Sequence, residues 1–180
     1  MSNALRQSYV TIDEYLAGEE LATVRHEYVD GYIHAMAGAS ERHNRITTNL
    51  VMALGPLWRA QGCRGMTSDM KVRVDNVVYY PDLMVVCDPN DTDPLVKTSP
   101  CLIVEVMSPS TMLTDRREKW LFYQRIAALQ AYLLVSQDER KIETHRRVPG
   151  GWEQHFFYHG SIALECPKGD LHFDDVYADL

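Results

Sequence analysis

Two carboxylates in this chain stand where carboxylates are expensive. Asp82 lies between Tyr80-Pro81 and Leu83-Met84-Val85-Val86, and Glu105 lies between Leu102-Ile103-Val104 and Val106-Met107. A buried carboxylate without a partner costs several kcal/mol or takes up a proton. Each therefore needs a base, a cation or a metal. Taken singly, a buried salt bridge or a strand-end position accounts for either. Together, on two adjacent apolar strands, they suggest a shared ligand. Neighbouring strands lie about 4.8 Å apart, so both side chains can reach one hard cation. An oxygen-only donor set suits Mg2+ or Mn2+, with waters completing the coordination.

The elements that must position this pair can be read from the pattern. Thr11 with Glu14 three residues on forms a capping box for a short helix to about Gly18. Asp30-Gly31 between β-prone stretches predicts a hairpin. Ser40 can cap a helix to about Gln61, with Ile46, Leu50, Ala53, Leu54 and Leu57 on one face. Gly55-Pro56 should kink or interrupt that helix, and Gly62 should stop it.

Met66–Val74 alternates as a strand with Lys71 and Arg73 on its wet face, and Asp75-Asn76 turns. Val77–Cys87 reads as one nearly continuous buried strand, and Cys101–Met107 as a central one. A helix is expected from about Thr114 to Ile126, with Trp120 and Tyr123 packing it onto the sheet. A hairpin (130–136 and 141–147) and strands at 152–158 and 161–165 complete the chain. The order is that of an α/β (α+β mixed) fold with a central mixed sheet flanked by helices, in one domain over 1–180 with 1–9 a loose extension.

On these residues the chain resembles the Uma-type restriction-endonuclease family of the PD-(D/E)XK nuclease superfamily. The resemblance is carried by Pro81-Asp82, and by Pro100–Thr111 followed by Asp115, Lys119 and Tyr123 at four-residue steps. Glu27-Tyr28-Val29-Asp30-Gly31, His43 and Leu129–Val135 extend it over roughly residues 10–178. It implies a restriction-endonuclease-like fold and metal-dependent phosphodiester cleavage. By resemblance Asp82 and Glu105 are metal ligands, the Val106 carbonyl is a further ligand, and Glu27 is a supplementary acid.

One position departs from that signature. A lysine usually sits two residues after the glutamate, where it orients water and offsets charge at the phosphate. Here that residue is Met107. Lys119 is the candidate replacement, four residues after Asp115 and so on one helix face with it. A surface ion pair is the plainer account of those two residues. Lys71 is a second candidate. His43 could orient a water or contact phosphate, or merely sit near a helix start, and His26 is a weaker candidate of the same kind. Asp115 is expected in a helix's first turn, where the dipole favours it, also holding Lys119. Ser108, Ser110 and Thr111 lack a Gly-x-Ser-x-Gly frame and read as turn residues.

The bulk properties restrict function. The 180 residues carry a net charge of −7, with 46% hydrophobic and 24% charged residues, an ordinary globular composition. The acid excess lies in the flanks, residues 1–30 and 130–180, while the middle is nearly balanced. No basic stripe exists, so tight non-specific DNA binding is not expected. No apolar run is long enough for a membrane span, and no secretory signal is evident at the N-terminus. Cys63, Cys87, Cys101 and Cys166 form no Cys-x-x-Cys pair and lack a zinc-finger histidine spacing. They read as reduced thiols in a cytoplasmic protein. The leading expectation is a Mg2+-dependent endonuclease on DNA, and a homodimer is expected because a duplex has two strands to cut. The alternatives are a catalytically degenerate nuclease-fold protein that binds nucleic acid or protein, and a metal hydrolase on a small phosphate ester.

Overall fold

The computed structural model describes residues 9–36, 38–108 and 112–180. Helix α1 (Ile12–Leu21) begins with the expected capping box, Thr11 and Glu14 each accepting from the other's backbone N–H. Strands β1 (His26–Val29) and β2 (Tyr32–Ala35) form the expected hairpin. Asp30 (φ 46°) and Gly31 (φ 95°) sit at its tip in the left-handed region that a tight hairpin turn demands. Helix α2 (Glu41–Ala60) is capped by Ser40 and carries Pro56 within it, so of the kink or interruption expected at Gly55-Pro56 the interruption does not occur. Pro56 lies on its exposed face, and Ile46, Leu50, Leu54 and Trp58 line the buried one.

The two long strands expected after α2 are both divided. Residues 66–74 split into β3 (Arg64–Thr67) and β4 (Lys71–Val74). Residues 77–87 split into β5 (Val77–Tyr79) and β6 (Leu83–Val86). The break falls at Tyr80-Pro81-Asp82, where proline offers no ladder donor. The four pieces belong to two sheets. One has the order β2-β1-β5-β4-β7, with β7 Val96–Lys97. The other has the order β11-β10-β9-β8-β6-β3, with β8 (Leu102–Met107), β9 (Ala131–Ser136), β10 (Ile142–Val148) and β11 (Gly151–Phe157). β6 and β8 are antiparallel and β8 and β9 parallel, so the central sheet is mixed.

The helix expected over 114–126 is a π-helical turn, Thr114–Lys119, running into α3 (Trp120–Tyr123). A hairpin of β12 (Ser161–Glu165) and β13 (Lys168–His172) leads to α4 (Phe173–Val176).

Alternation along β6 and β8 separates the two halves of the core. Leu83, Val85, Leu102, Val104 and Val106 face α2, α4 and the β12–β13 hairpin. Met84, Val86, Ile103 and Met107 face α3 and the five-stranded sheet, packing with Tyr79, Tyr123 and Tyr132. Every residue of β8 is buried. It reads as an unbroken apolar run because it is covered on both faces.

The cysteines correct the reading made from spacing. Cys63 is disulfide-bonded to Cys87 and Cys101 to Cys166, with Cα–Cα distances of 4.3 and 5.8 Å. Cys63 and Cys87 stand one step beyond the Arg64–Val86 pair of adjacent strands. Sheet register brings them together, and local spacing carries no trace of it. The inference from reduced thiols to a cytoplasmic location loses its premise.

Candidate active site

The break after β5 sets Asp82 at the start of β6, and β8 carries Glu105 close to its end. Leu83 pairs with Val104, so Asp82 lies opposite Glu105 one step further on. By the period of two, Asp82 shares a face with Met84 and Val86, and Glu105 shares that same face with Ile103 and Met107. The two residues also bond reciprocally. The Asp82 N–H donates to Glu105 Oε2 (3.4 Å), and the N–H of Val106 donates to Asp82 Oδ2 (2.7 Å).

Lys119 completes the group. From the π-helical turn its Nζ reaches Glu27 Oε1 (3.0 Å), Glu105 Oε1 (3.2 Å) and Asp115 Oδ1 (3.2 Å). Glu27 comes from β1 in the other sheet, so both sheets and the turn converge on one ammonium. Lys119 also lies 5.5 Å from the centre of the Tyr79 ring. Tyr123, one helical turn beyond Lys119, donates its hydroxyl to Glu105 Oε1 (3.1 Å). Tyr132 donates to the Asp115 carbonyl (3.0 Å) and fixes the turn. His43, at the start of α2, places Nε2 at 3.1 Å from Asp82 Oδ2.

The electrostatics are unbalanced. Glu27, Asp82, Glu105 and Asp115 face one ammonium and one imidazole. Burial pushes the Glu105 carboxyl well above its ordinary range; Lys119 opposes this, while Asp115, Asp82 and Glu27 add to it. Burial works against the Lys119 charge, yet Glu105, Glu27 and Asp115 outweigh it and hold its pKa well above the usual value. Burial likewise disfavours a charged His43, but the bond to Asp82 and its charge prevail, raising the imidazole pKa.

The donor chemistry of this group suits a hard divalent cation. Its oxygens are spread around the Lys119 ammonium, however, and among the described residues no three of its acid and imidazole donor atoms are gathered within 4.8 Å of one another. Every acidic donor is oxygen, negative charge is in excess, and Glu27 Oε1 and Asp115 Oδ1 are buried with no hydrogen bond of good geometry despite their nearness to Lys119. Asp82, 17% exposed, opens the cluster toward solvent, whereas Glu105 is only 4% exposed.

Six of the expected residues (Glu27, His43, Asp82, Glu105, Asp115 and Lys119) thus meet, and the Val106 backbone joins them through its N–H. Lys71 does not. It is buried rather than on a wet face, its Nζ lies 5.5 Å from the Tyr80 ring centre, and burial lowers its pKa. Among the described residues it forms no ion pair with Glu27, Asp82, Glu105 or Asp115. His26 is also elsewhere, its Nδ1 3.1 Å from Glu19 Oε2. Ser110 and Thr111 lie outside the described residues. The Tyr123 hydroxyl was missed. Its signal is that a buried tyrosine needs a partner for its O–H, and this one lies four residues after Lys119.

Known proteins match the chain along most of its length. The family described as "Uma2: Putative restriction endonuclease" matches residues 12–169. An uncharacterized protein of Synechocystis sp. is 40% identical over 174 residues, covering 93% of this chain and 91% of its own. A second from the same organism is 36% identical over 144 residues, covering 77% and 81%.

The chain belongs to the Uma2 family.

The fold agrees with that assignment. A crystal structure described as that of a putative nuclease belonging to DUF820, from Anabaena variabilis, superposes on this Uma2 chain with a TM-score of 0.76. It covers 94% of this chain and 98% of its own at 18% identity. The restriction-endonuclease-like architecture holds although less than a fifth of the residues are shared.

Proposed function

We propose that this Uma2 chain is a divalent-metal-dependent endonuclease that hydrolyses phosphodiester bonds in DNA. One observation carries the reading: Asp82 and Glu105 stand side by side on one face of the central sheet, bonded to each other's backbone segment, with a buried lysine against Glu105. Bound Mg2+ or Mn2+ would supply a Lewis acid for the phosphate and an acidified water. Asp82 and Glu105 would hold the cation, with the Val106 carbonyl as a third oxygen and Glu27 as the outer acid. His43 fixes the Asp82 carboxylate through Oδ2. Lys119 brings the ammonium that Met107 cannot, from a helix rather than from the strand. Its Nζ would orient the attacking water and offset phosphate charge. The Tyr123 hydroxyl holds Glu105 in place. A homodimer would present two such sites to the two strands of a duplex.

A second reading has an observation of its own. Lys119 already engages three carboxylates, and Met107 stands at the signature position. A catalytically degenerate relative that binds nucleic acid or protein would retain such an internally paired cluster. Calorimetric titration with Mn2+ separates the two: binding abolished by Asp82→Asn supports the enzyme, and no binding supports the degenerate module.

The activity test is nicking of supercoiled plasmid with Mg2+ or Mn2+, beside a single-stranded RNA of matched length. Wild type should nick DNA only with the cation. Glu105→Gln and Lys119→Met should each lose on the order of a hundredfold or more. Equal nicking by all three proteins, or none by wild type, overturns the proposal.

A further inference from the structure

The opposite end of the same two strands holds a second polar cluster, built of sulfur. Cys63 precedes β3, Cys87 follows β6, Cys101 precedes β8, and Cys166 lies in the turn between β12 and β13. Within this group, atoms of the two disulfides crowd one another. Cys87 Sγ lies 3.5 Å from Cys101 Sγ and 3.2 Å from Cys166 Sγ. The sulfurs of Cys87, Cys101 and Cys166 fall within 4.8 Å of one another, a spacing that could hold a metal ion. Cys63 is bonded to Cys87 and so joins the same group. We propose that, once reduced, Cys63, Cys87, Cys101 and Cys166 form a tetrathiolate site for Zn2+.

The geometry supports this in three ways. Zinc is bound by thiolates at about 2.3 Å in a tetrahedron, which sets sulfur–sulfur edges at roughly 3.8 Å. Cys87 Sγ already stands near that edge from Cys101 and Cys166, so three of the four sulfurs are gathered. Cys63, outside the set that lies within 4.8 Å, has to turn its side chain inward once its bond to Cys87 opens.

The convergence, moreover, does not depend on the disulfides alone. Register pairs Arg64 with Val86, holding Cys63 beside Cys87. The Cys101 N–H donates to the Val85 carbonyl (2.8 Å), holding the start of β8 against β6. Gln61 clamps the β12–β13 turn, its Nε2 donating to the Lys168 carbonyl (2.9 Å) and its Oε1 accepting from the Lys168 N–H (2.8 Å). Four segments distant in sequence are thus tied together by main-chain bonds and by the Gln61 side chain, and breaking the S–S bonds leaves Cys87, Cys101 and Cys166 gathered with Cys63 on the neighbouring strand.

Charge and access also suit a thiolate site. Cys101 is buried and the other three are half-buried, which leaves a path of entry. Arg64, next to Cys63, donates to the carbonyls of Asp88 and Asp91 (2.8 and 2.9 Å), fixing a positive charge beside the segment after Cys87.

The interconversion balances. Each S–S bond takes two electrons and two protons from one dithiol reductant, which itself becomes a disulfide. Four thiols result, and zinc binding releases their protons. An oxidising disulfide reverses the sequence, taking the electrons, restoring the two S–S bonds and expelling zinc.

Co2+ in place of zinc reads the site directly. The full chain is reduced with a phosphine, freed of reductant and metal under anaerobic conditions, and titrated with Co2+ in excess Mg2+. The expected result is one equivalent of Co2+ with the visible bands of a tetrahedral centre and a sulfur-to-metal charge-transfer band, displaced by Zn2+ and bleached by oxidation. Cys166→Ser and Cys63→Ser should each weaken binding by about tenfold or more. The wild-type spectrum stands as the test even if a variant folds poorly. Three results overturn the proposal: four titratable thiols with no such spectrum, disulfides that resist reduction in the folded chain, or a spectrum that survives in Cys87→Ser/Cys166→Ser. Glu105→Gln should keep the spectrum unchanged; its loss there would assign the Co2+ to the carboxylates.

Discussion

Two buried glutamates, Glu105 on β8 and Glu143 on β10, are both tied to the π-helical turn, yet their surroundings differ in kind. Glu143 is fully matched. Arg116 donates Nε at 2.9 Å and lies with Nη2 at 2.7 Å from Oε2, while His145 Nε2 (3.0 Å) and Gln154 Nε2 (2.6 Å) meet Oε1. Burial raises its pKa, but the bonds from His145 and Gln154 and the Arg116 charge prevail and lower it. Glu105 has looser partners, at 3.1 to 3.4 Å, and three further carboxylates near it, and its pKa moves the other way. A carboxylate that is satisfied by its own chain holds the fold together. One that is left short of positive charge is a place for a ligand.

The comparison breaks or stands first at Lys119. Its ammonium is the main positive charge within reach of Glu105, Glu27 and Asp115, and it is buried. Removing one partner of a buried ion pair leaves an uncompensated charge and costs about 3–5 kcal/mol. Lys119→Ala should lose that much stability in urea unfolding at neutral pH. The loss should shrink toward acid, where the carboxylates take up protons. Mn2+ should recover more stability in the variant than in wild type, because the cluster has gained room for a cation. A loss of less than about 1 kcal/mol, insensitive to Mn2+, would place the cluster with ordinary ion pairs.

How much of this contrast the sequence carried follows from its chemistry. Asp82 and Glu105 were legible because each interrupts an apolar run. Glu27 was reached through a family pattern, since its own surroundings are those of any hairpin residue. Lys119 followed from the missing lysine at Met107. The Tyr123 hydroxyl, the Glu143 network and the sulfur cluster were not legible, because each depends on contacts between segments distant in the chain. Cys101 and Cys166, 65 residues apart, meet only through the packing of a hairpin against the face of the central sheet. The fold class was legible from the order of periodic segments. The break at Pro81 was hidden by the apolar residues on both sides of it, and that break is what sends β5 and β6 to different sheets and opens the end where Asp82 sits.

A pair of isosteric substitutions sharpens the comparison. Glu143→Gln removes the charge that Arg116 and His145 answer, and should cost about 1.5–3 kcal/mol, the range for hydrogen bonds to charged groups. Arg116 is about a third exposed, which limits the penalty for leaving it unpaired. Glu105→Gln removes one negative charge from a cluster that has too many, and should change stability by less than about 1 kcal/mol while removing cation binding. Urea midpoints of the two variants beside wild type decide it. Equal losses would mean that both glutamates are structural anchors.

The smallest expected effect is the dependence of those differences on pH, and it carries opposite signs at the two sites. The Glu143 pKa is lowered in the folded chain from an ordinary 4.5. Its contribution is therefore present above 4.5 and is lost as pH falls through the folded value. The gap between wild type and Glu143→Gln should narrow on acidification below 4.5. The Glu105 pKa is raised, so the folded chain binds a proton there more readily than the unfolded chain does. Its contribution is present below 4.5 and is lost as pH rises through the folded value. Relative to wild type, Glu105→Gln should therefore gain as pH climbs from 4.5 toward neutrality, the range over which Glu143→Gln holds its deficit. Urea midpoints taken from acid to neutral pH, with ionic strength fixed, give both slopes. Slopes of the same sign would show that Glu105 is ionised and fully paired within the chain, and the shortage of positive charge at that end of β8 would then be no basis for a cation site.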